Sequence, residues 1–229
     1  MSGVVQGIIP IDKPRGKTAF WLVAMLRRHL KVRKIGHAGT LDPFATGVML
    51  LLVGKTYTRL SNQFLCQDKE YVARVHLGIS TDTYDCEGEV TAESSLIPSL
   101  RQVEEVLSLF QGEIDQVPPM FSAKKIQGKK LYELAREGKT VHREPVKVRM
   151  ETFLLDYAYP YLDIRVVCSK GTYIRSIAHE LGEKLGCGGS LITLQRTRSG
   201  NFFLKDCFDG SLLHVPTFDP LALTPWIRL

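Results

Sequence analysis

Val48 to Val53 is the longest apolar run in the chain, and with Gly47 before it and Gly54 behind it predicts a buried strand followed by a polar turn. Gly7 to Ile11 predicts a shorter strand that ends in the polar loop Asp12 to Thr18. Trp21, Leu22, Met25 and Leu26 recur at helical spacing, so Ala19 to Leu30 reads as a helix with Thr18 as N-cap and those four as its core face. Tyr71 to Leu77 alternates as a half-buried strand closed by Gly78, and Ser80 to Ser95 is an acidic, turn-rich excursion. Ser99 and Gln102 form a capping box ahead of a helix from Leu100 to Phe110, stopped by Gly112. Pro118 and Pro119 stiffen the loop Val117 to Ala123, and a short helix, Lys130 to Glu137, ends at Gly138. Val146 to Leu155 and Tyr161 to Cys168 pair across a turn at Tyr157 to Pro160. A helix then runs from Arg175 through Leu185 to Gly186, and a last strand, Leu191 to Arg196, precedes a turn at Ser199-Gly200. Helices interrupting a large, mostly antiparallel mixed sheet make the fold class α+β. Residues 1–205 read as one domain, and 206–229 as a tail too short and too broken by Gly210, Pro216, Pro220 and Pro225 for a core of its own.

Composition narrows the class without deciding it. Of 229 residues, 44% are hydrophobic and 24% charged, the proportions of a soluble globular protein. Lys and Arg number 30 against 24 Asp and Glu, a net charge of +6, which tilts the reading toward a polyanionic partner. Arg27, Arg28, His29, Lys31, Arg33 and Lys34 form a basic cluster that suits either a solvated helix end or RNA phosphates. Five scattered cysteines, with no Cys-x-x-Cys pair and no ligand-spaced histidines, read as reduced thiols and exclude a disulfide framework or a zinc site. Met1-Ser2-Gly3 leads directly into apolar sequence, unlike a secretory leader, and no apolar run is long enough to span a bilayer, so the expected location is the cytoplasm.

The chemistry concentrates in Gly36-His37-Ala38-Gly39-Thr40-Leu41-Asp42-Pro43-Phe44-Ala45-Thr46-Gly47. Its glycines rule out a helix, and Pro43 biases Asp42 toward an extended backbone, so one carboxylate is presented on a constrained loop. As a bare pattern this is ordinary turn chemistry. As a whole string it resembles the catalytic motif of the TruB family of tRNA pseudouridine synthases, Gly-His-x-Gly-x-Leu-Asp-Pro-x-Ala-x-Gly, matched at every fixed position.

The resemblance continues along the chain in family order. Lys13-Pro14-x-Gly16-x-Thr18 is similar to the N-terminal family motif, and Lys69-x-Tyr71 with Leu77-Gly78 to its Tyr-bearing strand. Pro118 to Gly138 is similar to the central loop and helix, and Ser169-Lys170-Gly171-Thr172-Tyr173-Ile174-Arg175 to the Arg motif. Two positions depart: Gly54 to Arg59 carries an extra residue against Gly-x-Ala-Thr-Lys, and Ala19 stands where Ser is common. Bacterial members continue into a PUA-type RNA-binding domain, so the short stretch after Asn201 is expected to leave RNA binding to the catalytic domain.

The resemblance implies the pseudouridine synthase fold, and isomerisation of uridine 55 in the TΨC loop of tRNA by a monomer, without cofactor or metal. Breaking N1–C1′ and rejoining the base through C5 involves no redox change and needs an ionised carboxylate at the ribose. The resemblance makes Asp42 that group, with Arg175 its cationic partner and Tyr71 packed on the base and placed to assist proton transfer. Tyr173 and Leu194 would line the pocket, His37 would touch RNA where the nucleotide is extruded, and Lys13 would bind substrate or buttress the loop. Lys124, Lys125, Lys129, Lys130 and Arg143 would grip phosphates. The rivals are the same chemistry on guide-directed ribosomal RNA, a non-catalytic RNA-folding module, and a glycosidase drawing a second acid from Asp82 or Asp85.

Overall fold

The computed structural model describes residues 5–126 and 128–229. The opening Met1-Ser2-Gly3, on which the argument against a leader rests, lies outside the described residues. The chain divides into two compact units, one of residues up to Tyr71 together with Leu194–Leu229, the other Val72–Thr193.

The first unit opens with β1 (Gly7–Lys13), α1 (Ala19–Leu30), β2 (Ile35–Ala38) and β3 (Thr46–Val53). Every residue of β3 after Thr46 is buried, as its unbroken apolar run requires. β1 lies antiparallel along β3 over its whole length, whereas β2 pairs with β3 only at Leu50 to Val53. The residues between β2 and β3, Asp42 among them, therefore form the connection of an antiparallel pair. Thr18 caps α1 as expected, its hydroxyl accepting from the Trp21 amide at 3.0 Å. The buried stripe of α1 is Ala19, Leu22, Val23 and Leu26, while Trp21 and Met25 are only half-buried, a turn of the helix relative to the predicted face.

Two stretches early in this unit differ from expectation. Ile35–Ala38 is a strand because Leu50–Val53 offers it a partner edge. In place of a polar turn after Gly54 come α2 (Lys55–Arg59) and α3 (Ser61–Leu65). Their Tyr57, Phe64 and Leu65 pack on a cluster of Ile8, Ala38, Val48, Leu50 and Leu52, and that burial holds helices too short to persist alone.

The chain enters the second unit through β4 (Lys69–Leu77), and the acidic excursion contains a hairpin, β5 (Ile79–Thr81) and β6 (Val90–Glu93). Helix α4 (Leu100–Leu107) carries the predicted capping box but ends before Phe110, and Gly112 opens a strand, β7 (Gly112–Gln116). A small hairpin, β8 (Lys125–Ile126) and β9 (Lys129–Lys130), precedes α5 (Leu131–Arg136). β10 (Val146–Ala158) and β11 (Tyr161–Cys168) pair antiparallel as predicted, with a bulge at Leu154/Asp156 and a shorter turn, since β10 runs on to Ala158. Strands follow the order β4-β11-β10-β7, and α6 (Ile174–Leu185) closes on Gly186 in the left-handed conformation.

β12 (Gly189–Ser199) returns the chain to the first unit, where it runs parallel to β3 at Gln195↔Thr46 and Arg196↔Gly47. It is not the last strand: β13 (Phe202–Phe203) pairs with it, and β14 (Phe208–Asp209) lies parallel to β1. Residues after Asp209 form short 3₁₀ turns that contribute the fully buried Leu213 and Leu223. The class is α+β, with mostly antiparallel mixed sheet flanked by helices.

Candidate active site

The Asp42 segment is held from below by its neighbours. Lys13, at the end of β1, has no exposed surface. Its ammonium donates to the carbonyls of Pro14 at 3.0 Å, Lys17 at 2.6 Å and Pro43 at 3.0 Å. The Gly16 amide donates to the same Pro43 carbonyl at 2.8 Å, and the Ala45 amide to the Asp42 carbonyl at 3.1 Å. Gly47, with φ at +105°, faces the Arg196 backbone so closely that any Cβ would overlap it. Its amide donates to Asp12 Oδ1 at 3.0 Å. Burial pushes the Asp12 carboxyl up from its ordinary value, opposed by that amide. Asp42 itself is half-buried.

His37 sits on β2 opposite Leu51, half-buried, with Nδ1 enclosed and without a hydrogen-bond partner. Burial, then the nearby Arg196 cation, lowers its pKa, so the imidazole is neutral near pH 7. Tyr71 on β4 is 8% exposed and Leu194 on β12 is 6% exposed. Asp42, His37, Lys13, Tyr71 and Leu194 thus all belong to the first unit.

Arg175, Tyr173 and the lysine cluster belong to the second. Tyr173 is the N-cap residue of α6, and Gln116 fixes it with an amide-to-backbone pair, Nε2 to the Tyr173 carbonyl at 3.1 Å and the Tyr173 amide to Oε1 at 2.8 Å. That anchor seats Arg175 in the first turn, 5% exposed. Its guanidinium donates to the carbonyls of Thr83 at 3.0 Å and Phe121 at 2.8 Å, and Nη1 lies 3.3 Å from Asp85 Oδ2. Asp85 is equally enclosed, and its Oδ1 accepts from the Thr83 hydroxyl at 2.7 Å and the Glu87 amide at 3.0 Å. Arg175 is therefore no surface helix-start arginine, and Asp85 is its internal counter-ion. The sequence reading passed over that pairing; the Thr83-x-Asp85 turn was the one local signal for it.

The basic hairpin sets Lys125 opposite Lys130 and Ile126 opposite Lys129. Lys130 donates to the Tyr132 hydroxyl at 3.0 Å, and Arg143 donates to the Pro118 carbonyl at 3.2 Å. Lys125 and Lys129 are exposed, Lys124 and Arg143 half-buried. Among the described residues no group of three or more His, Cys, Asp or Glu side chains could hold a metal ion, and no helix is long and apolar enough to cross a membrane.

The family pattern described as TruB family pseudouridylate synthase (N terminal domain) matches residues 27–174, and that of the tRNA pseudouridylate synthase B C-terminal domain matches residues 175–213. The chain belongs to the TruB family of pseudouridine synthases. It is 63% identical over 213 residues to the tRNA pseudouridine synthase B of Protochlamydia amoebophila, covering 93% of this chain and 81% of that one. With the enzyme of the same name from Chlamydia muridarum it shares 57% over 215 residues, 94% of this chain and 89% of that one. Among solved structures it is similar to a Cbf5-Nop10-Gar1 complex, with a TM-score of 0.68 and 31% identity over 89% of this chain and 52% of that one. An H/ACA RNP bound to a substrate RNA containing 2′-deoxyuridine follows, with a TM-score of 0.65 and 28% identity over 90% and 52%. The chain spans about half the length of those two solved chains. TruB membership makes the protein an isomerase of the pseudouridine synthase fold, as the motif order predicts.

Proposed function

We propose that the chain converts uridine to pseudouridine at position 55 in the TΨC loop of tRNA, with Asp42 as the essential carboxylate. The observation that carries the reading is the Asp42 loop: a single acid in a segment whose following carbonyl, on Pro43, is gripped by the buried Lys13 ammonium and the Gly16 amide. Relatives named tRNA pseudouridine synthase B at 63% and 57% identity support tRNA as the substrate.

The target uridine leaves its stack and enters the pocket. Asp42 attacks C1′ or removes the C2′ proton as N1–C1′ breaks, and the base turns; C5 then bonds to C1′ as the Asp42–C1′ ester bond breaks or as C2′ takes its proton back, and C5 gives up its own proton as N1 gains one. Tyr71 packs on the base and assists the proton transfer at C5, while Arg175 supplies the positive charge that keeps Asp42 ionised. Tyr173 and Leu194 line the base pocket, and His37 fills the gap left by the extruded nucleotide. Lys13 buttresses the loop, in keeping with its burial. Lys124, Lys125, Lys129, Lys130 and Arg143 contact phosphates, and so do Arg27, Arg28 and Lys34. The protein works in the cytoplasm as a monomer, requires no cofactor, and assists tRNA folding.

The test is incubation with unmodified tRNA and with an isolated TΨC stem-loop, with pseudouridine mapped in each. Modification at position 55 in both, lost in Asp42→Asn with tRNA binding retained, is the expected result. Turnover by Asp42→Asn refutes the carboxylate, and modification of ribosomal RNA only in the presence of a guide strand refutes the substrate.

A further inference from the structure

Arg196 is the largest fully buried side chain among the described residues, 1% exposed. Arginine stays protonated at any pH a protein survives, and an enclosed cation ordinarily needs an anion. Arg196 has none: among the described residues it enters no ion pair, and its acceptors are uncharged. Nε donates to the Val48 carbonyl at 2.6 Å, Nη1 to the Thr40 carbonyl at 3.4 Å, and Nη2 to the Gly39 carbonyl at 3.3 Å and to Met49 Sδ at 3.6 Å. Filling space there would need no charge, since a methionine or leucine would match the buried Val48 and Met49 beside it with no desolvation penalty.

What an apolar side chain could not do is join two backbone segments. The planar fork spans from the start of β3, at Val48, to Gly39 and Thr40 at the start of the Asp42 loop. The backbone gives the fork a fixed base, because Arg196 registers with Gly47 in the parallel pair. Gly39, at φ +88°, takes a backbone conformation that residues with a side chain rarely adopt, and so turns its carbonyl to the fork without strain. Lys13 holds the other end of the loop at the Pro43 carbonyl. Asp42 thus lies between two carbonyl grips, each made by a buried cation.

We propose that Arg196 is a positioning residue for the Asp42 loop, fixing the Gly39 and Thr40 carbonyls and through them the reach of the Asp42 carboxylate. The assignment rests on Asp42 being the acting acid. It differs from a role in stability alone, because the fork grips the backbone at the start of the loop that carries Asp42. His37 registers the same cation, its pKa lowered by burial and by Arg196.

The test compares Arg196→Met, which removes the charge, with Arg196→Lys, which keeps the charge and loses the fork. For each, melting temperature, tRNA affinity, single-turnover rate of pseudouridine formation and deuterium uptake across residues 36–46 are measured against the parent. Expected in both are a folded protein at the assay temperature, tRNA affinity within about threefold, a rate lowered about 100-fold by displacement of the acid, and faster uptake confined to 36–46. A parental rate or unchanged uptake in a folded variant overturns the proposal. So does parental activity in Arg196→Lys, which would mean that charge alone suffices, and so does unfolding of both variants, which would make the residue one of fold stability. If the parent forms no pseudouridine in tRNA, the functional reading fails separately, and deuterium uptake still decides whether Arg196 holds the loop.

Discussion

The Lys13 ammonium reaches the Pro43 carbonyl across thirty residues of sequence, 3.0 Å away and sealed from solvent. The contact ties the end of the first strand to the residue after Asp42, and Lys17 and Pro14 offer two further carbonyls to the same cation. Hydrogen bonds to a buried charge are strong, and acceptors abandoned in the interior are costly. Lys13→Met is expected to destabilise the protein by about 3 kcal/mol, read from urea unfolding midpoints at constant m-value. A loss below about 0.5 kcal/mol, the scale of an ordinary surface change, would mean that those carbonyls find other donors and that the loop is not pinned there.

Asp85 makes the matching argument in the second unit. Removing one partner of an enclosed ion pair takes compensation away from the other charge, at a cost of up to about 3–5 kcal/mol. Asp85→Asn keeps the shape and removes the charge opposite Arg175, while Gln116 still fixes Tyr173 and the start of α6. The variant should therefore lose stability and also turnover, with tRNA affinity retained. Melts beside single-turnover assays separate the two losses. Full activity in a protein of parental stability would show that Arg175 does not depend on this carboxylate.

How far these arrangements could be read in advance follows the range of the signal. The helix Ala19–Leu30 and the strand ending at Val53 were legible because an N-cap threonine and an unbroken apolar run act locally. The strand Ile35–Ala38 was not, because a four-residue segment with a glycine becomes a strand only when another edge accepts it. The helices after Gly54 were read as a turn because Tyr57, Phe64 and Leu65 find their burial on strands elsewhere in the first unit. Asp42 and Arg175 stood out through long motifs. Asp85 and Arg196 did not, since an acid in a turn and an arginine in an alternating strand both look solvent-facing until the fold encloses them.

Acidification should weaken the protein as two of its histidines take up protons on unfolding. His37 is held below its ordinary 6.5 by burial and Arg196, and His179 by burial, opposed by Glu183. Both therefore bind fewer protons folded than unfolded, so stability is full above 6.5 and is lost as pH falls through the folded values. Asp12 and Glu180, raised by burial, act in the opposite sense. Urea unfolding at about pH 7.5 and about pH 5.5 should show the loss, and His37→Gln should shrink it without abolishing it. An unchanged pH slope in His37→Gln would mean that the ring titrates normally.

Lys125 stands opposite Lys130 in the register of the β8–β9 pair, where opposite charges would be the stabilising choice, and the Lys130 ammonium turns to the Tyr132 hydroxyl at 3.0 Å. Two lysines in one cross-strand pair suit a surface that meets polyanion. Lys125→Glu should therefore act with opposite signs on two measurements. It places a carboxylate opposite Lys130, which should raise stability by a few tenths of a kcal/mol, the scale of about 0.2–1 kcal/mol for a favourable cross-strand pair. At the same time it removes a phosphate contact, so tRNA affinity should fall and the slope of log affinity against log salt should flatten by about 0.7–0.9, the release of one counterion. Lys129→Glu, opposite Ile126, should weaken binding comparably without the gain in stability. If Lys125→Glu stabilises the protein and leaves both affinity and slope alone, the hairpin faces solvent and the phosphates are held elsewhere.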